Sequence, residues 1–534
     1  MVRGPMLRSD AYVLLFSLLL GGLFAVARFN EFSAGAMLDD AIYVEMARSL
    51  AEGRGPVIYL HPQIAPQQSW AFPVGYPFLL SPIAYLLPES IQALKLFSLV
   101  VTVAMLFVLW SLLGNYTNAF ERNVLLSLVV LNPWTITYSN RVFSEATYAL
   151  LSLSALLLFL KWLQRPSPSI PMAVGLSVLT GIAVSTRSIG IALIAACAVY
   201  LVIVQRWRFL AVFAASTAIG LLPQGIVNYR AGHFLLTPGY QSQLLSHSQR
   251  VGERLLFMRD TFIGYLKELP AAIAPIFGNS VEAFAQKIDL GAFYTTAQII
   301  CGSLILIAVV AGGLRREERS ADFSLVAVLY CLFYGAALIN FSGNGHPVQL
   351  RLLVPLLPVL YYLLLRGLPV LYDGIRTSHI KPSRAAAFLL LAVLPLSILH
   401  NSYRSVHLMK DVSELSGRGF VDYAAGSAWI VEHTDADDVV MTYCPIERHI
   451  HFRRPVVDYG NRPPTTMDEL NARVDAFGVR YLLIGPNSAA TPRHLDSNDE
   501  SILSLLRQAS GGTYQLAYED PERKVSIYRV LREM

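Results

Sequence analysis

Charged residues are scarce in this chain. They make up 15% of its 534 residues, while 54% are hydrophobic, and about a quarter of a typical soluble protein is charged. Cysteine is also rare: three of the four cysteines lie inside apolar runs and the fourth, Cys444, stands alone near the C-terminus. This usage excludes a disulfide framework and a zinc-knuckle spacing. No internal repeat is evident, and the C-terminal region holds no glycine-rich phosphate loop.

Long apolar runs recur from Ala11 to His400, and the mean hydropathy is positive. Such runs predict a polytopic α-helical membrane protein with about 11 spans. The first run resembles a signal peptide but is long for one, so we expect an uncleaved first span. Prolines interrupt residues 77–87, which we expect to lie on or dip into the membrane as a helix. The expected spans are 11–28, 91–113, 122–138, 144–163, 171–186, 188–204, 209–227, 293–313, 322–341, 350–366 and 385–400.

Basic residues in the short loops predict the orientation of these spans. With a cytoplasmic N-terminus, every cytoplasmic loop carries at least one Lys or Arg, among them Arg122, Lys161 and Arg206. The opposite, outer side then receives the region at about 39–90, the long segment at about 228–292 and the tail from residue 401. Short turns around residues 141, 187 and 346 face the same side.

The region after residue 400 has a different pattern. Short β-branched runs at 438–443, 455–458 and 479–484 predict strands, separated by helical stretches such as 467–477. Residues 501–508 predict a further helix, and 513–518 with 524–530 a closing strand pair. We therefore expect two domains, a transmembrane module at 1–400 and a small α/β domain at 401–534.

The segment Leu38–Gly53 opens with the adjacent carboxylates of Asp39 and Asp40. As a helix it places Ile42, Met46 and other apolar residues on one face, and Glu45, Arg48 and Glu52 on the other. This pattern predicts a helix on the membrane surface, with its charged side in water. The two aspartates are equally suited to capping the helix or stabilising its first turn, and this alternative stays open from local sequence alone.

More polar groups lie at the ends of spans on the same side. They are Arg141 and Glu145 around the start of the fourth span, Arg187 between two apolar runs, and His346 and Arg351 before the tenth. Charges near membrane spans are costly and mark functional sites by default. Two simpler explanations apply: Arg187 could reach the lipid head groups, and Glu145 could pair with Arg141 four residues earlier.

Carboxylates beside arginines at a membrane surface suit the transfer of a sugar from a lipid phosphate. A general base takes the proton of the acceptor hydroxyl. Cations or a metal stabilise the departing phosphate. The spans and surface helices supply an apolar groove for the lipid tail.

The sequence resembles the GT-C glycosyltransferases that use polyprenyl-phosphate sugars, near the protein O-mannosyltransferases and the aminoarabinose transferases of lipid A. The resemblance covers roughly residues 10–370. Leu38–Gly53 matches an acidic pair before a juxtamembrane helix, and the segment around Glu145 matches the second outer loop. The remaining matching segments are Phe72–Pro77, Gly181–Gly190 and Arg351–Pro358.

The resemblance implies that Asp39 is the general base, with Asp40 in the second acidic position and Glu145 assisting the acceptor or a metal. It also implies an inverting glycosyltransferase of the inner (plasma) membrane of a bacterium, with a periplasmic C-terminal domain. We expect the donor phosphate to bind at Arg187, Arg141, Arg351 and His346. A divalent cation such as Mg or Mn, if used, would bind Asp40 and Glu145. The expected partners are a lipid-phosphate sugar, the membrane and an acceptor glycan, lipid or protein, with no nucleic acid.

Two other classes of function compete with this interpretation. A transporter or lipid flippase would line a path with its charges, but the sequence shows no inverted repeat and the charges cluster on one side. A catalytically inactive scaffold would be expected to lack the acidic pair, which is present.

Overall fold

A computed structural model of the chain describes residues 8–27, 29, 38–68, 72–230, 251–274, 285–287, 289–315, 322–341, 348–377, 426–443, 445–459, 464–485, 497–508, 513–522 and 524–531. Up to residue 377 the described chain is almost entirely helical. Its helices are α1 Arg8–Ala27, α2 Leu38–Ala51, α3 Gly75–Leu86, α4 Ile91–Leu113, α5 Ala119–Leu131, α6 Pro133–Ser139, α7 Ser144–Leu163, α8 Ile170–Thr186, α9 Ile191–Ile203, α10 Trp207–Arg230, α11 Val251–Ile273, α12 Gly291–Leu314, α13 Phe323–Phe341 and α14 Leu357–Thr377. Short 3₁₀ segments at Ser188–Gly190 and Leu350–Leu356 precede α9 and α14.

The polytopic membrane architecture is confirmed. In the described part of the chain, five helical stretches are long and apolar enough to cross a membrane, at Ile91–Leu113, Ser144–Leu163, Gly291–Leu314, Phe323–Asn340 and Leu350–Leu371. The total of about 11 spans stays a prediction, and the expected span at 385–400 lies outside the described residues.

The third expected span, 122–138, is not one continuous helix. It divides at Asn132 into α5 and α6 because Pro133 has no backbone N–H to continue the α5 ladder. The Asn132 side chain accepts a hydrogen bond from Trp134 N at 2.9 Å, which starts α6. Asn132 also donates to Ala272 O at 2.9 Å and so ties this break to the end of α11.

Two elements outside the spans complete the membrane module. The helix expected at 77–87 is confirmed as α3. By contrast, the expected long outer segment at 228–292 contains α11, which the sequence pattern did not predict. Charged residues interrupt α11, so it lacks the long apolar run from which the spans were predicted.

Glycines let several helices meet backbone to backbone. A Cβ added at Gly181 of α8 would lie 2.2 Å from Gly220 O of α10. One added at Gly367 of α14 would lie 1.8 Å from Ala308 O of α12. Small residues at such crossings allow the close van der Waals packing that holds membrane helices together.

The C-terminal region forms the small α/β domain that the sequence predicts. Its strands are β3 Val439–Thr442, β4 Val456–Asp458, β5 Val479–Ile484, β6 Tyr514–Asp520 and β7 Val525–Val530, after a short pair in the membrane module, β1 Val57–Ile58 and β2 Gln67–Gln68. The sheet order is β4-β3-β5-β7-β6, with β3 parallel to β4 and β5 and the remaining pairs antiparallel. Its helices are α15 at 426–433, α16 Pro445–Phe452, α17 Met467–Phe477 and α18 Ser497–Gln508. Of these, α15 and α16 were not predicted, and α16 contacts α2 of the membrane module.

Candidate active site

Helix α2 places both aspartates of the acidic pair in its first turn. Negative side chains there complement the positive end of the helix dipole. Both aspartates therefore stabilise the first turn of the helix, which was one of the two simpler roles considered for them. The Asp40 side chain is fully buried and accepts a hydrogen bond from Ala41 N at 3.0 Å. The Asp39 side chain is partly exposed, so it is the member of the pair that a substrate can reach.

The expectation that the charged side of α2 lies in water is wrong for Glu45 and Arg48, and the position of α2 at the membrane surface stays a prediction. Glu45 and Arg48 are buried, as are Ile42 and Met46 on the opposite face. The reason is tertiary: α16 of the C-terminal domain covers the charged face and supplies partners for it. Hydrophobic periodicity within one helix does not reveal such a cover.

Asp39 is held by Arg351, which follows in the chain more than 300 residues later. Arg351 Nη2 lies 2.5 Å from Asp39 Oδ2, and Arg351 Nε donates to Gln349 Oε1 at 2.5 Å. The guanidinium carbon lies 5.8 Å from the centre of the Phe143 ring. The predicted convergence of these two residues is thus present, and the ring and the amide fix the arginine beside the carboxylate.

Glu145 is held by Arg187. Arg187 Nη1 lies 2.8 Å from Glu145 Oε1 and donates to Ser144 Oγ at 3.1 Å. Both simpler explanations are therefore wrong: Glu145 does not pair with Arg141, and Arg187 is engaged inside the protein instead of reaching to head groups. The extended backbone of Arg187, between α8 and the 3₁₀ turn, turns its side chain toward α7.

Tyr43 joins α2 to this second pair. Its hydroxyl lies 3.2 Å from Ser144 Oγ, and its ring packs edge-on against Phe72 and Tyr76 at centroid distances of 5.2 and 4.9 Å. Burial raises the pKa of Tyr43 well above its ordinary value, so this hydroxyl stays neutral and acts only through hydrogen bonds. Sequence reasoning missed Tyr43 and Ser144, although Ser144 directly precedes Glu145.

A small cavity lies next to Glu145. Its lining is mostly apolar and includes Met105, Val129, Ala149 and Val354, and its polar members are Thr102, Thr135, Tyr138 and Glu145. Glu145 Oε2 is buried and has no hydrogen-bond partner among the described residues. The site thus combines paired charges with an adjacent apolar space.

The other predicted residues differ in their positions. Arg141 is partly exposed and acts electrostatically on Tyr138, with no ion pair to Glu145. His346 lies outside the described residues. Sequence reasoning also missed Lys95, which is fully buried near the start of α4, with its Nζ 5.5 Å from the Phe29 ring centre. A lysine inside an apolar span is a signal that could have drawn attention to it.

The expected metal ligands do not form a metal-binding cluster. Among the residues that the structure describes, no group of three His, Cys, Asp or Glu side chains is placed to hold an ion. One oxygen of Glu145 is already engaged by Arg187. Asp40 and Glu145 alone do not fit a metal centre, and no step below depends on one.

Comparison with known proteins shows the fold. No family model and no curated protein sequence matches the chain. Among solved structures it is similar to ArnT from Cupriavidus metallidurans in the apo state, with a TM-score of 0.59, 14% identity and 98% of each chain covered. ArnT bound to undecaprenyl phosphate matches with a TM-score of 0.57, 14% identity and 97% of each chain covered.

An archaeal protein shares the same architecture. The Archaeoglobus fulgidus oligosaccharyltransferase in the apo form matches with a TM-score of 0.53 and 12% identity, over 89% of this chain and 69% of that one. A complex of that protein with Zn and sulfate gives 0.53 and 13%, over 88% and 67%. The chain therefore has the GT-C fold that the sequence resemblance predicts.

Proposed function

We propose that this protein is a membrane glycosyltransferase that moves a sugar from a polyprenyl phosphate to an acceptor hydroxyl, with Asp39 as the general base. The observation that carries the proposal is the pairing of two carboxylates with two arginines at one end of an apolar helical bundle. The GT-C fold supports it, since one protein of that fold was solved with bound undecaprenyl phosphate.

In the proposed reaction, the acceptor oxygen attacks the anomeric carbon of the donor sugar. The new carbon–oxygen bond forms as the bond to the phosphate breaks, and the electron pair leaves with the phosphate. Asp39 takes the proton of the acceptor hydroxyl. A single displacement of this kind inverts the anomeric configuration, as the resemblance implies.

The arginines act on the departing phosphate. Arg351 orients the Asp39 carboxylate in the resting state. As negative charge develops on the phosphate, Arg351 turns toward it and releases Asp39 to accept the proton of the acceptor hydroxyl. Arg187, oriented by Glu145 and Ser144, binds the same phosphate with its planar fork of donors. Arg141 and His346 are proposed as further phosphate contacts.

The reaction is proposed for the outer face of the bacterial inner membrane. The basic loops support this side for the acidic pair. The contact of α16 with α2 supports the same side for the C-terminal domain. The transporter alternative is less favoured, because the paired charges lie at helix ends and together form a site with a reactive carboxylate.

The test is Asp39→Asn, which keeps the size of the side chain and part of its helix-stabilising ability. The turnover rate should fall about 100-fold or more, because a general base contributes roughly 10²–10⁴-fold. Turnover is measured as release of undecaprenyl phosphate from a panel of undecaprenyl-phosphate sugars mixed with envelope extract. The matched control is Asp260→Asn, an exposed carboxylate on α11. Near-normal turnover in purified Asp39→Asn protein would contradict the role of Asp39.

A further inference from the structure

Helices α2 and α16 lie side by side, although about 400 residues separate them in the chain. Three contacts follow the same order along both, the last of them between Glu52 and Arg453, which directly follow the two helices. Glu45 Oε1 lies 3.0 Å from His449 Nδ1, Arg48 Nη1 donates to Ile450 O at 3.1 Å, and Glu52 Oε1 lies 3.1 Å from Arg453 Nη2. Because the contacts advance together, they fix both the rotation of α2 and its position along its axis.

The first two contacts are sealed from water. Glu45 and Arg48 are buried and also contact each other at 3.5 Å. A buried charge without its partners is strongly unfavourable, so the Glu45 side of α2 is stable only while α16 covers it. The pKa of Glu45 reflects this balance: burial acts to raise it, but His449, Arg48 and Arg453 together lower it below its ordinary value.

Further contacts keep the C-terminal domain docked at the same place. Val456 N, in the edge strand β4, donates to Leu60 O of the segment after β1 at 2.8 Å. His61 packs edge-on against Phe477 with ring centres 5.8 Å apart. These contacts do not involve α2, so they anchor the domain independently of the Glu45 cluster.

We infer that Glu45, Arg48 and His449 are positioning residues that let the C-terminal domain set the place of Asp39. Asp39 precedes Glu45 by six residues on the same continuous helix, about 9 Å along its axis. A rotation of α2 would therefore move Asp39 away from Arg351, whose contact is short and direct. This inference rests on the proposed function, because it assigns the C-terminal domain a part in the same reaction.

The experiment compares Glu45→Gln, Arg48→Met and the double variant in the full-length purified protein. Each single change leaves the other member of the buried ion pair without its charged partner, and the double variant leaves neither charge buried. We expect turnover to fall about 10- to 100-fold in each single variant, because small misplacements near reacting groups cost up to about 100-fold. Binding of undecaprenyl phosphate should stay within about twofold, and the double variant should recover much of the lost turnover.

Hydrogen exchange of the amides in Leu38–Ala51 and Pro445–Phe452 is the second measurement. It should accelerate in both helices together in each single variant and recover in the double variant. Asp260→Asn serves as the matched control, since that carboxylate is exposed and pairs with the adjacent Arg259. Donor binding that falls in parallel with turnover would indicate general unfolding and overturn the positioning role.

Failure of this inference differs from failure of the proposed function. Absence of sugar transfer in the unmodified protein would contradict the function, while the exchange measurement would still report whether α16 holds α2. Unchanged exchange of Leu38–Ala51 in Glu45→Gln, or turnover equal to that of the Asp260→Asn control, would show that the buried cluster does not position Asp39.

Discussion

The charged side chains at the start of α2 are more exposed to water than those near its middle. At the N-terminal end the side chains of Asp39 and Arg351 are 24% and 16% exposed. About two turns later the side chains of Glu45 and Arg48 are 3% and 6% exposed. Both carboxylates are ion-paired, so pairing alone does not distinguish a reactive group from a structural one.

The two carboxylates, Asp39 and Glu45, differ in whether a substrate can reach them. A pair that substrate can reach is able to exchange one partner for a phosphate during the reaction. A sealed pair has no such alternative, because separating its members in a medium of low dielectric constant is costly. We therefore propose that Asp39 takes part in the reaction and that Glu45 holds α2 in position, although both lie on the same helix and carry the same charge.

The Glu145–Arg187 pair lies between these extremes. Glu145 is 2% exposed at its side chain and Arg187 is 14% exposed. We therefore propose that Arg187 is the member that contacts a ligand and that Glu145 orients it. Because the buried Glu145 depends on Arg187 as its partner, we expect substitution of Arg187 to have the largest effect on stability.

Arg187→Ala should lower the free energy of unfolding by roughly 3–5 kcal/mol, because it leaves Glu145 buried without its cation. Arg187→Met combined with Glu145→Gln removes both charges and should recover most of that stability. Binding of undecaprenyl phosphate should stay lost in the double variant and be partly retained in Arg187→Lys. Thermal unfolding and direct lipid binding are measured side by side. Normal lipid binding by the stable double variant would show that Arg187 has only a structural role.

Local patterns predicted the fold well where the element itself carries the signal. The strand Val479–Ile484 was predicted from its β-branched and apolar run, and it forms β5 at the centre of the sheet. The approach of Arg351 to Asp39 followed from topology: the basic loops showed which helix ends share a side, and the two residues lie at such ends.

Long-range pairing was not predictable in the same way. The spacing of Arg141 and Glu145 favoured a pair along one helix, but Asn140 caps the end of α6 and a new helix begins at Ser144, so the spacing does not apply. The burial of Glu45 depends on α16, which no local pattern connects to α2. A charged helix face fits water and an ion-pair partner equally well, and only the tertiary structure decides between them.

Low pH should reduce the stability that the buried cluster of Glu45, Arg48 and His449 contributes to the protein. The pKa of Glu45 is lowered in the folded protein, so its stabilisation is complete above its ordinary value of 4.5 and is lost as the pH falls through the folded-state value. The groups that face it are Arg48 on α2, His449 on α16 and Arg453, which directly follows α16.

The measurement is the difference in thermal stability between the unmodified protein and Glu45→Gln from pH 7 down to about 3. We expect this difference to shrink below about pH 4, by on the order of 1 kcal/mol for each unit of the shift. The same comparison in a His449→Gln background shows how much of the difference depends on the contact between Glu45 and His449. A difference that grows toward low pH would contradict the assigned direction.

The smallest effect is expected at the C-terminal end of α2. The side chain of Glu52 is 35% exposed and pairs with Arg453, which is 28% exposed and also pairs with Glu89. Ion pairs that water reaches contribute less than about 1 kcal/mol, because the solvent screens their attraction. Glu52→Gln should therefore lower stability by less than that amount and leave turnover within about twofold of normal. Unfolding and turnover of Glu52→Gln are measured beside Glu45→Gln, which removes the same charge two turns earlier. Equal losses in the two variants would mean that the charge of the helix, and not the sealing of one pair, determines how α16 holds α2.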